Sequence, residues 1–322
     1  MELPERLTNA VELNAAAWRP QELKKAAAAV SDRYMNESGT GKRLVVSEIG
    51  AAVYSVMRMP ATYCAVSSAL RYTDEITGII PEIHSVLDIG AGTGTAAWAL
   101  FSGGASLREI ICLEREAAMS DLGKRLARSE PALSDLMKWL SSDINNGLEG
   151  RSADMVLSSY MLNELSSHDR KRAVSDMWDS AGKLLLLVEP GTPAGYNNLM
   201  QARELLLSRG AHIAAPCPHE NECRLQNDWC HFTVRVQRTR LHKLLKNADV
   251  PYEDEKFIYM AFVRDACKVN GGRVLRHPVT EKGRVTLSLC TAQENSSVTV
   301  TKKQGELYRI SRKAKCGDLL GI

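Results

Sequence analysis

A glycine-rich loop at residues 86–94 is the strongest chemical signal in this sequence of 322 residues. Gly90, Gly92 and Gly94 follow a Gly-x-Gly-x-Gly spacing, directly after the apolar run Val86-Leu87-Asp88-Ile89. Glycine has no Cβ, so the chain can turn sharply there and a ligand can approach bare backbone. Loops of this kind between a strand and a helix bind phosphates and nucleosides. The sequence therefore predicts a cofactor pocket at this turn.

Three acidic residues stand where a nucleoside needs hydrogen-bond acceptors: Asp88 before the turn, Glu114 after the next apolar run and Asp143 after a third. Glu114 can accept hydrogen bonds from both ribose hydroxyls, and Asp143 can accept one from an adenine amine. Over residues 85–190 the pattern resembles motif I and the following acidic positions of class I S-adenosylmethionine-dependent methyltransferases. The resemblance implies binding of S-adenosylmethionine. The alternatives are a nicotinamide-binding sheet and a methyltransferase fold whose pocket has degenerated.

A second polar stretch, residues 158–165, follows the fourth predicted strand, where methyltransferases place groups that orient the substrate. It lacks the Asn-Pro-Pro-Tyr or Asp-Pro-Pro-Tyr quartet that marks enzymes methylating an exocyclic base amine. Asn163 and Glu164 are candidates to line the pocket or to cap a helix, whereas Tyr160 and Met161 are expected in the core. The sequence names no catalytic base.

A cysteine- and histidine-rich stretch at residues 216–232 carries different chemistry. It contains Cys217, His219, Cys223, Cys230 and His231, with prolines and polar residues between them. Thiolates and imidazoles gathered in this way select soft or borderline metals. Structural zinc would need four ligands, and an iron–sulfur cluster would need a fourth ligand from elsewhere. Buried, unligated cysteines are the third alternative.

The fourth ligand has three candidates among the remaining cysteines: Cys267, Cys290 and Cys316. Cys290 ends an apolar strand-like run, so a rigid element could present it to the loop. Cys64 and Cys112 are expected in the core, in a helix and a strand respectively.

The predicted secondary structure that positions these residues changes twice along the chain. Residues 1–80 have helical patterns, with helices predicted to open at Pro20, near Ser47 and at Pro60. Residues 81–212 alternate short apolar runs with amphipathic segments, which predicts a parallel sheet covered on both faces. Residues 213–322 hold the cysteine loop and short predicted strands at 257–263, 285–290, 297–301 and 307–310. The predicted fold is a Rossmann-like α/β methyltransferase sheet with an N-terminal helical region and a small C-terminal β subdomain carrying the cysteines.

Composition restricts the class of protein. Hydrophobic residues make up 44% and charged residues 25%, as in globular proteins, and no apolar run is long enough for a spanning helix. No secretory signal or transit peptide is visible, so we expect a cytoplasmic protein, and we expect a monomer. Residues 231–322 hold 18 Lys and Arg against 9 Asp and Glu, whereas the rest of the chain is net acidic. This asymmetry suggests either a C-terminal part that meets RNA or a solvated basic face.

Several motifs together resemble an Rsm-type family associated with the small ribosomal subunit, which has mitochondrial members. The resemblance runs from about residue 50 to the end, and ordinary methyltransferases lack its cysteine motifs. The matching segments are Arg58-Met59-Pro60-Ala61-Thr62-Tyr63, the glycine loop through Trp98, Val188-Glu189-Pro190-Gly191-Thr192-Pro193, Cys217-Pro218-His219, Asp228-Trp229-Cys230-His231-Phe232 and Gly317-Asp318-Leu319-Leu320.

The resemblance implies a factor that binds rRNA and the small subunit during assembly and carries a four-iron (4Fe-4S) cluster. By position, the cluster ligands would be Cys217, Cys223, Cys230 and Cys290. The family often has Trp where Cys316 stands, and the two histidines would lie near the cluster without ligating it. The glycines and Glu114 are intact, which implies S-adenosylmethionine binding and leaves rRNA methylation as one possible activity.

Two other readings follow from the residues. The main alternative is a zinc-containing S-adenosylmethionine-dependent methyltransferase that acts on a protein or small molecule. A radical enzyme would need cysteines in Cys-x3-Cys-x2-Cys spacing, which this sequence lacks.

Overall fold

A large mixed sheet forms the centre of the protein. The computed structural model describes residues 2–37, 39–225 and 227–321. Its strands are β1 (Ser85–Ile89), β2 (Glu109–Leu113), β3 (Met137–Leu140), β4 (Ala153–Ser159), β5 (Ala181–Pro190), β6 (His212–Ala215), β7 (Phe232–Gln237) and β8 (Tyr252–Val263). The central strands β1, β4 and β5 carry apolar runs that are buried on both faces, as the sequence predicts.

The strand order is β3-β2-β1-β4-β5-β8-β6, with β7 also paired to β8. Strands β1 to β5 are parallel, and β8 runs antiparallel to β5. On its other edge β8 pairs with two strands in succession: Ala215 of β6 lies opposite Ala261, and Phe232 of β7 lies opposite Phe257. The loop between β6 and β7, which holds Cys217, Cys223 and Cys230 and which we call the cysteine loop, therefore begins and ends at the same edge of β8. The strand expected at 257–263 exists, but it belongs to this large sheet.

Helices cover the sheet and precede it, and those predicted at Pro20, near Ser47 and at Pro60 are confirmed within one or two residues. Most of α4 is buried because it packs against β7, β8 and α5, while α3 packs against α2 and α6. Cys64 in α4 and Cys112 in β2 are both buried in the core, as expected. The first nine helices are α1 (Glu5–Ala15), α2 (Pro20–Glu37), α3 (Glu48–Met57), α4 (Met59–Thr77), α5 (Thr95–Ser102), α6 (Ala117–Ala127), α7 (Pro131–Ser134), α8 (Ser167–Ser180) and α9 (Pro193–Ser208).

A second, smaller sheet follows near the C-terminus, after α10 (Arg240–Lys246) and β8. Its order is β10-β11-β9-β13, with β12 paired to β11, and it has its own small apolar core. Its strands are β9 (Gly272–Val274), β10 (Val279–Glu281), β11 (Arg284–Cys290), β12 (Asn295–Thr301) and β13 (Leu319–Leu320).

The strand expected at 307–310 is wrong, because these residues lie in helix α11 (Glu306–Lys313). The segment is strongly amphipathic at the helical period: Leu307 is half-buried against the small sheet and Ser311 is fully buried, whereas Arg309 and Arg312 are exposed. No helix in the described part of the chain is long and apolar enough to cross a membrane.

Candidate functional site

The glycine loop has the backbone geometry that the sequence predicts. Gly90, Gly92 and Gly94 have φ angles of 68°, 58° and 80°, which an L side chain rarely adopts. A Cβ on Gly90 would lie 2.7 Å from Cγ of Met161, and one on Gly94 would lie 2.8 Å from Cε of Met137. Conformation therefore favours glycine at both positions, and the close approach of Met161 adds a steric reason at Gly90.

A cavity with about 770 Å³ of empty space, part of it open to solvent, lies beside this loop. Gly90, Gly92, Glu114 and Asp143 line it, together with apolar side chains such as Met119. The Glu114 carboxylate accepts hydrogen bonds from the backbone N–H groups of Gly92 and Glu116, both at 2.7 Å. Burial raises the pKa of Glu114, and these two hydrogen bonds oppose that rise. The cavity, which we call the nucleoside pocket, combines bare backbone, acidic acceptors and apolar walls, which is what a nucleoside cofactor needs.

Two of the predicted cofactor residues do not line the nucleoside pocket. Gly94 shapes the turn where α5 begins. Asp88 is fully buried beneath the loop, and neither carboxylate oxygen has a hydrogen-bond partner among the described residues. Burial, with a smaller contribution from Glu114, raises the pKa of Asp88 to about 7. Burying a carboxyl without a partner is costly, and its raised pKa favours the neutral form.

Arg115 contacts acidic side chains at the nucleoside pocket and the loop that contains Gly41 and Lys42. Its guanidinium lies 3.4 Å from Asp143 and 3.9 Å from Glu164, and it donates to the carbonyl oxygens of Gly41 and Lys42. The loop that Arg115 holds continues into Leu44 and Val45, both buried and both lining the nucleoside pocket. The N-terminal region therefore contributes a wall of the site.

Glu164 lines the nucleoside pocket, whereas Asn163 lines a neighbouring cavity. Neither caps α8, whose N-cap is Ser166. The Asn163 Oδ1 accepts a hydrogen bond from Nδ2 of Asn198 at 2.6 Å. Burial raises the pKa of Glu164 to about 7, and Glu114 adds to the rise while Arg115 opposes it. Glu164 thus places a carboxyl with a raised pKa in the lining of the nucleoside pocket, beside Arg115.

Sequence reasoning missed three tyrosines at the site. Tyr34 on α2 and Tyr54 on α3 have stacked rings 5.9 Å apart and line the nucleoside pocket. Tyr160 lines it as well, although a core position was expected; Met161 is buried as expected. Tyr160 has a φ of 60°, which is rare for a bulky residue and clusters at functional sites. Tyr160 directly follows the apolar strand β4, and this position in the sequence could have indicated that it lies at the site.

Four cysteines, Cys217, Cys223, Cys230 and Cys290, line a second pocket, which we call the cysteine pocket. It holds about 450 Å³ of empty space, part of it open to solvent, between the large sheet and the small one. Burial raises the pKa of the Cys217, Cys230 and Cys290 thiols, that of Cys290 to about 12. A nearby cation is what would favour their thiolate forms.

The arrangement of the cysteine pocket does not confirm a metal site. Over residues 2–37, 39–225 and 227–321, no group of three or more Cys, His, Asp or Glu side chains is arranged so that it could hold a metal ion. Nε2 of His219 lies 3.6 Å from Sγ of Cys290, and the Tyr196 hydroxyl donates to Sγ of Cys223 at 3.3 Å. Cys316 lies outside the pocket, where its thiol donates to the carbonyl oxygen of Leu275.

Nine of the 18 basic residues of the C-terminal part form two groups. Arg235 pairs with Asp254, and Arg238 and Lys246 pair with Glu253, at 2.6–2.8 Å. The second group is exposed and lies on or beside α11. Its members are Lys302, Lys303, Arg309, Arg312, Lys313 and Lys315.

The chain is similar to proteins of known families. The family model described as "Mitochondrial small ribosomal subunit Rsm22" matches residues 48–321. The human "Ribosome assembly protein METTL17, mitochondrial" is 31% identical over an alignment of 294 residues that covers 84% of this chain and 62% of the human protein. "Rsm22-cox11 tandem protein 2, mitochondrial" of Schizosaccharomyces pombe is 25% identical over an alignment of 217 residues that covers 52% of this chain and 29% of that protein.

Among solved structures, magnesium protoporphyrin IX methyltransferase (ChlM) from Synechocystis PCC 6803 with bound SAM is similar at 17% identity. The TM-score is 0.43, with 73% of this chain and 90% of that chain covered. The chain spans less than two thirds of the length of the curated relatives it matches. The family model, by contrast, covers most of the chain, and on this ground the chain belongs to the Rsm22 family.

Proposed function

We propose that this protein is an assembly factor of the small ribosomal subunit that binds rRNA and S-adenosylmethionine. Membership of the Rsm22 family is the observation that carries the proposal, and the human relative is named as a ribosome assembly protein. The intact nucleoside pocket, with Gly90, Gly92 and Glu114 in place, supports a cofactor role.

S-adenosylmethionine fits the nucleoside pocket by the chemistry of its residues. Gly90 and Gly92 would let the cofactor approach bare backbone, Glu114 would accept from the ribose, and Asp143 would accept from the adenine. The orphaned Asp88 carboxyl beneath the loop would complement a positive charge above it. The cofactor, when bound, supplies an activated methyl group, and methylation of rRNA is the activity that we propose for the pocket.

We further propose that the cysteine pocket holds a 4Fe-4S cluster on Cys217, Cys223, Cys230 and Cys290. Four thiols that line one pocket form the soft donor set that iron–sulfur clusters require. A bound cluster would join the loop between β6 and β7 to the end of β11, so binding and tertiary structure would be coupled. Loss of the cluster would then release the small sheet and weaken RNA binding.

The alternative is a zinc-containing methyltransferase that acts on a protein or small molecule. The observation that favours it is the imidazole of His219 beside Cys290, since zinc accepts a histidine together with three thiolates. Colourless protein that holds one zinc and has no affinity for small subunits would support this alternative.

The exposed cations around α11 are the proposed contact to phosphates. Binding through about six phosphates should weaken about 1,000-fold between 50 and 200 mM salt. Co-sedimentation of the full chain with purified small subunits over this salt range measures the effect. The variant Arg312→Ala/Lys313→Ala/Lys315→Ala should make the salt dependence shallower, and the control Lys24→Ala/Lys25→Ala on the exposed face of α2 should not. Salt-independent binding would contradict the proposal.

Two expectations stay predictions. The sequence predicts a cytoplasmic protein, whereas the curated relatives are named as mitochondrial, so the location is not confirmed. The monomeric state is likewise a prediction, which the sedimentation of the free protein would measure.

A further inference from the structure

A second cavity, which we call the acceptor cavity, adjoins the nucleoside pocket. It holds about 1010 Å³ of empty space, part of it open to solvent. Four residues line both cavities: Tyr34, Tyr54, Tyr160 and Glu164. A ligand in the acceptor cavity would therefore meet a ligand in the nucleoside pocket across these side chains.

The walls of the acceptor cavity come from elements that are distant in sequence. Val30 and Ser31 on α2 and Met57 on α3 form one side, and Asn163 and Pro190 form the other. The second side lies where the parallel strands β4 and β5 end, and ligands of open α/β sheets bind at the carboxyl ends of strands. The position is therefore that of a substrate rather than of a chance surface groove.

A network of polar groups fixes Tyr160 at the junction of the two cavities. Its hydroxyl donates to Oε1 of Glu255 at 2.8 Å, and the Arg58 guanidinium donates to the same oxygen at 3.1 Å. Arg58 also lies 5.6 Å from the centre of the Tyr160 ring. Since this tyrosine has a left-handed backbone conformation, its ring is held in place at some cost in conformational energy.

We propose that the acceptor cavity receives a single unstacked nucleobase of the RNA, held against the tyrosine rings with an N–H group directed to the Glu164 carboxyl. The proposal rests on the proposed function, because it names the substrate class of the same site. Stacking of bases on aromatic side chains is the usual way that proteins hold single-stranded RNA. A base in this cavity lies beside the nucleoside pocket and so occupies the place of a methyl acceptor.

A cationic amine fits the acceptor cavity less well, although aromatic side chains also bind ammonium groups. Arg58 places a guanidinium in the wall and already holds the carboxylate of Glu255, so that carboxylate is not free to pair with an ammonium. With a pKa of about 7, Glu164 is only partly charged at neutral pH, which suits a neutral N–H donor. The same pKa suits a group that takes up a proton.

The transfer that this arrangement permits is balanced. A nitrogen of the base would use its electron pair to form a bond to the methyl carbon, and the sulfur–methyl bond would break with its electrons left on sulfur. The proton lost by the nitrogen would pass to the Glu164 carboxylate.

The decisive variant is Ser31→Trp, because Ser31 lines the acceptor cavity and not the nucleoside pocket. A tryptophan there would fill the space for the base. The matched control is Gln21→Trp, which places the same side chain on the exposed face of α2. Full-length protein would be irradiated with ultraviolet light in complex with small subunits, and cross-linked peptides would be mapped by mass spectrometry.

We expect nucleotides cross-linked to Tyr34, Tyr54 or Tyr160 in the wild type and in the control, and at least a tenfold loss in Ser31→Trp. Affinity for S-adenosylmethionine, measured by calorimetry, should stay within twofold. Cross-links confined to the C-terminal basic residues would overturn the inference while the proposed function stands. Failure of the wild type to bind both subunits and cofactor would overturn the proposed function and the inference with it.

Labelled methyl groups supply the second readout. When S-adenosylmethionine labelled in its methyl group is supplied, we expect the label in a base of the rRNA. The variant Glu164→Gln should reduce this labelling about 100-fold and retain the cross-links. Label in a protein would overturn the nucleobase assignment. Cross-links without any label would keep the base-binding site and overturn its role as the methyl acceptor position.

Discussion

The nucleoside pocket and the cysteine pocket are built in different ways. The glycine loop forms one wall of the nucleoside pocket and the N-terminal region forms another, and Glu114 fixes the glycine loop by accepting a hydrogen bond from the Gly92 N–H. The cysteine pocket takes three cysteines from the loop between β6 and β7 and a fourth from β11 of the other sheet. In the first site the loop and its acidic acceptor are in place without a ligand, whereas we propose that the second site depends on a bound cluster for its closure.

The largest expected effect tests that dependence. Cys217→Ser should abolish binding of the proposed cluster and lower Tm by at least about 10 °C, because metal binding contributes folding free energy. The measurements are iron, sulfide and zinc analysis of protein purified without oxygen, its absorption spectrum, and thermal unfolding.

The matched control for this variant is Cys267→Ser, which lies outside the cysteine pocket and should leave metal content and Tm unchanged. Wild-type protein that holds neither iron nor zinc would contradict the proposed cofactor. One zinc that is insensitive to Cys290→Ser would favour the zinc alternative.

A smaller effect tests the preformed site. Gly90→Ala should weaken S-adenosylmethionine binding about 10- to 100-fold, because the new Cβ would meet Met161 and the backbone would be strained by about 1–3 kcal/mol. The control is Gly104→Ala, which has a φ of 85° but no atom within 4 Å of the new Cβ. Equal cofactor affinities of the two variants by calorimetry would show that the loop is not the binding element.

The smallest effect concerns the buried acid beneath the loop. The pKa of Asp88 in the folded protein, about 7, is above its ordinary value of about 3.9, so the folded state binds more protons between these values. Stability should therefore fall as the pH rises from about 4 to 7. Asp88→Asn should raise Tm by a few degrees at pH 8 relative to the wild type, with a smaller gain at pH 5.

Thermal unfolding at the two pH values measures the Asp88 effect, and exposed Asp249→Asn is the control. A gain in Tm that is equal at both pH values would show that Asp88 does not titrate in this way.

The difference between the two pockets also explains which of their residues could be predicted from the sequence. The glycine loop and Glu114 are close in sequence, so the strand-and-turn pattern was enough to find the nucleoside pocket. Cys290 is distant from the other cysteines, and it was assigned from a family resemblance because local spacing carries no information about contacts between sheets. The cluster itself remains a proposal.

Other misses have the same origin. Tyr34 and Tyr54 were overlooked because the face that a helix turns toward a pocket is decided by its packing partners. The segment at 307–310 was predicted as a strand because four residues are too few to separate a helical period from an alternating one. Arg235 and Arg238 add to the basic charge counted over residues 231–322, but the acidic residues that pair with them lie on the neighbouring strand β8.

The pairing of β6 and β7 with the same edge of β8 has a consequence for chain entropy. The anchors on β8, Ala261 and Phe257, are four residues apart, so one rigid strand holds the two ends of the cysteine loop about 13 Å from each other. The entropy of bringing the loop ends together is lost when the sheet folds, not when a metal binds. A proposed cluster would therefore have to order only the interior of the loop and its contact with Cys290, and its affinity should depend on an intact β8.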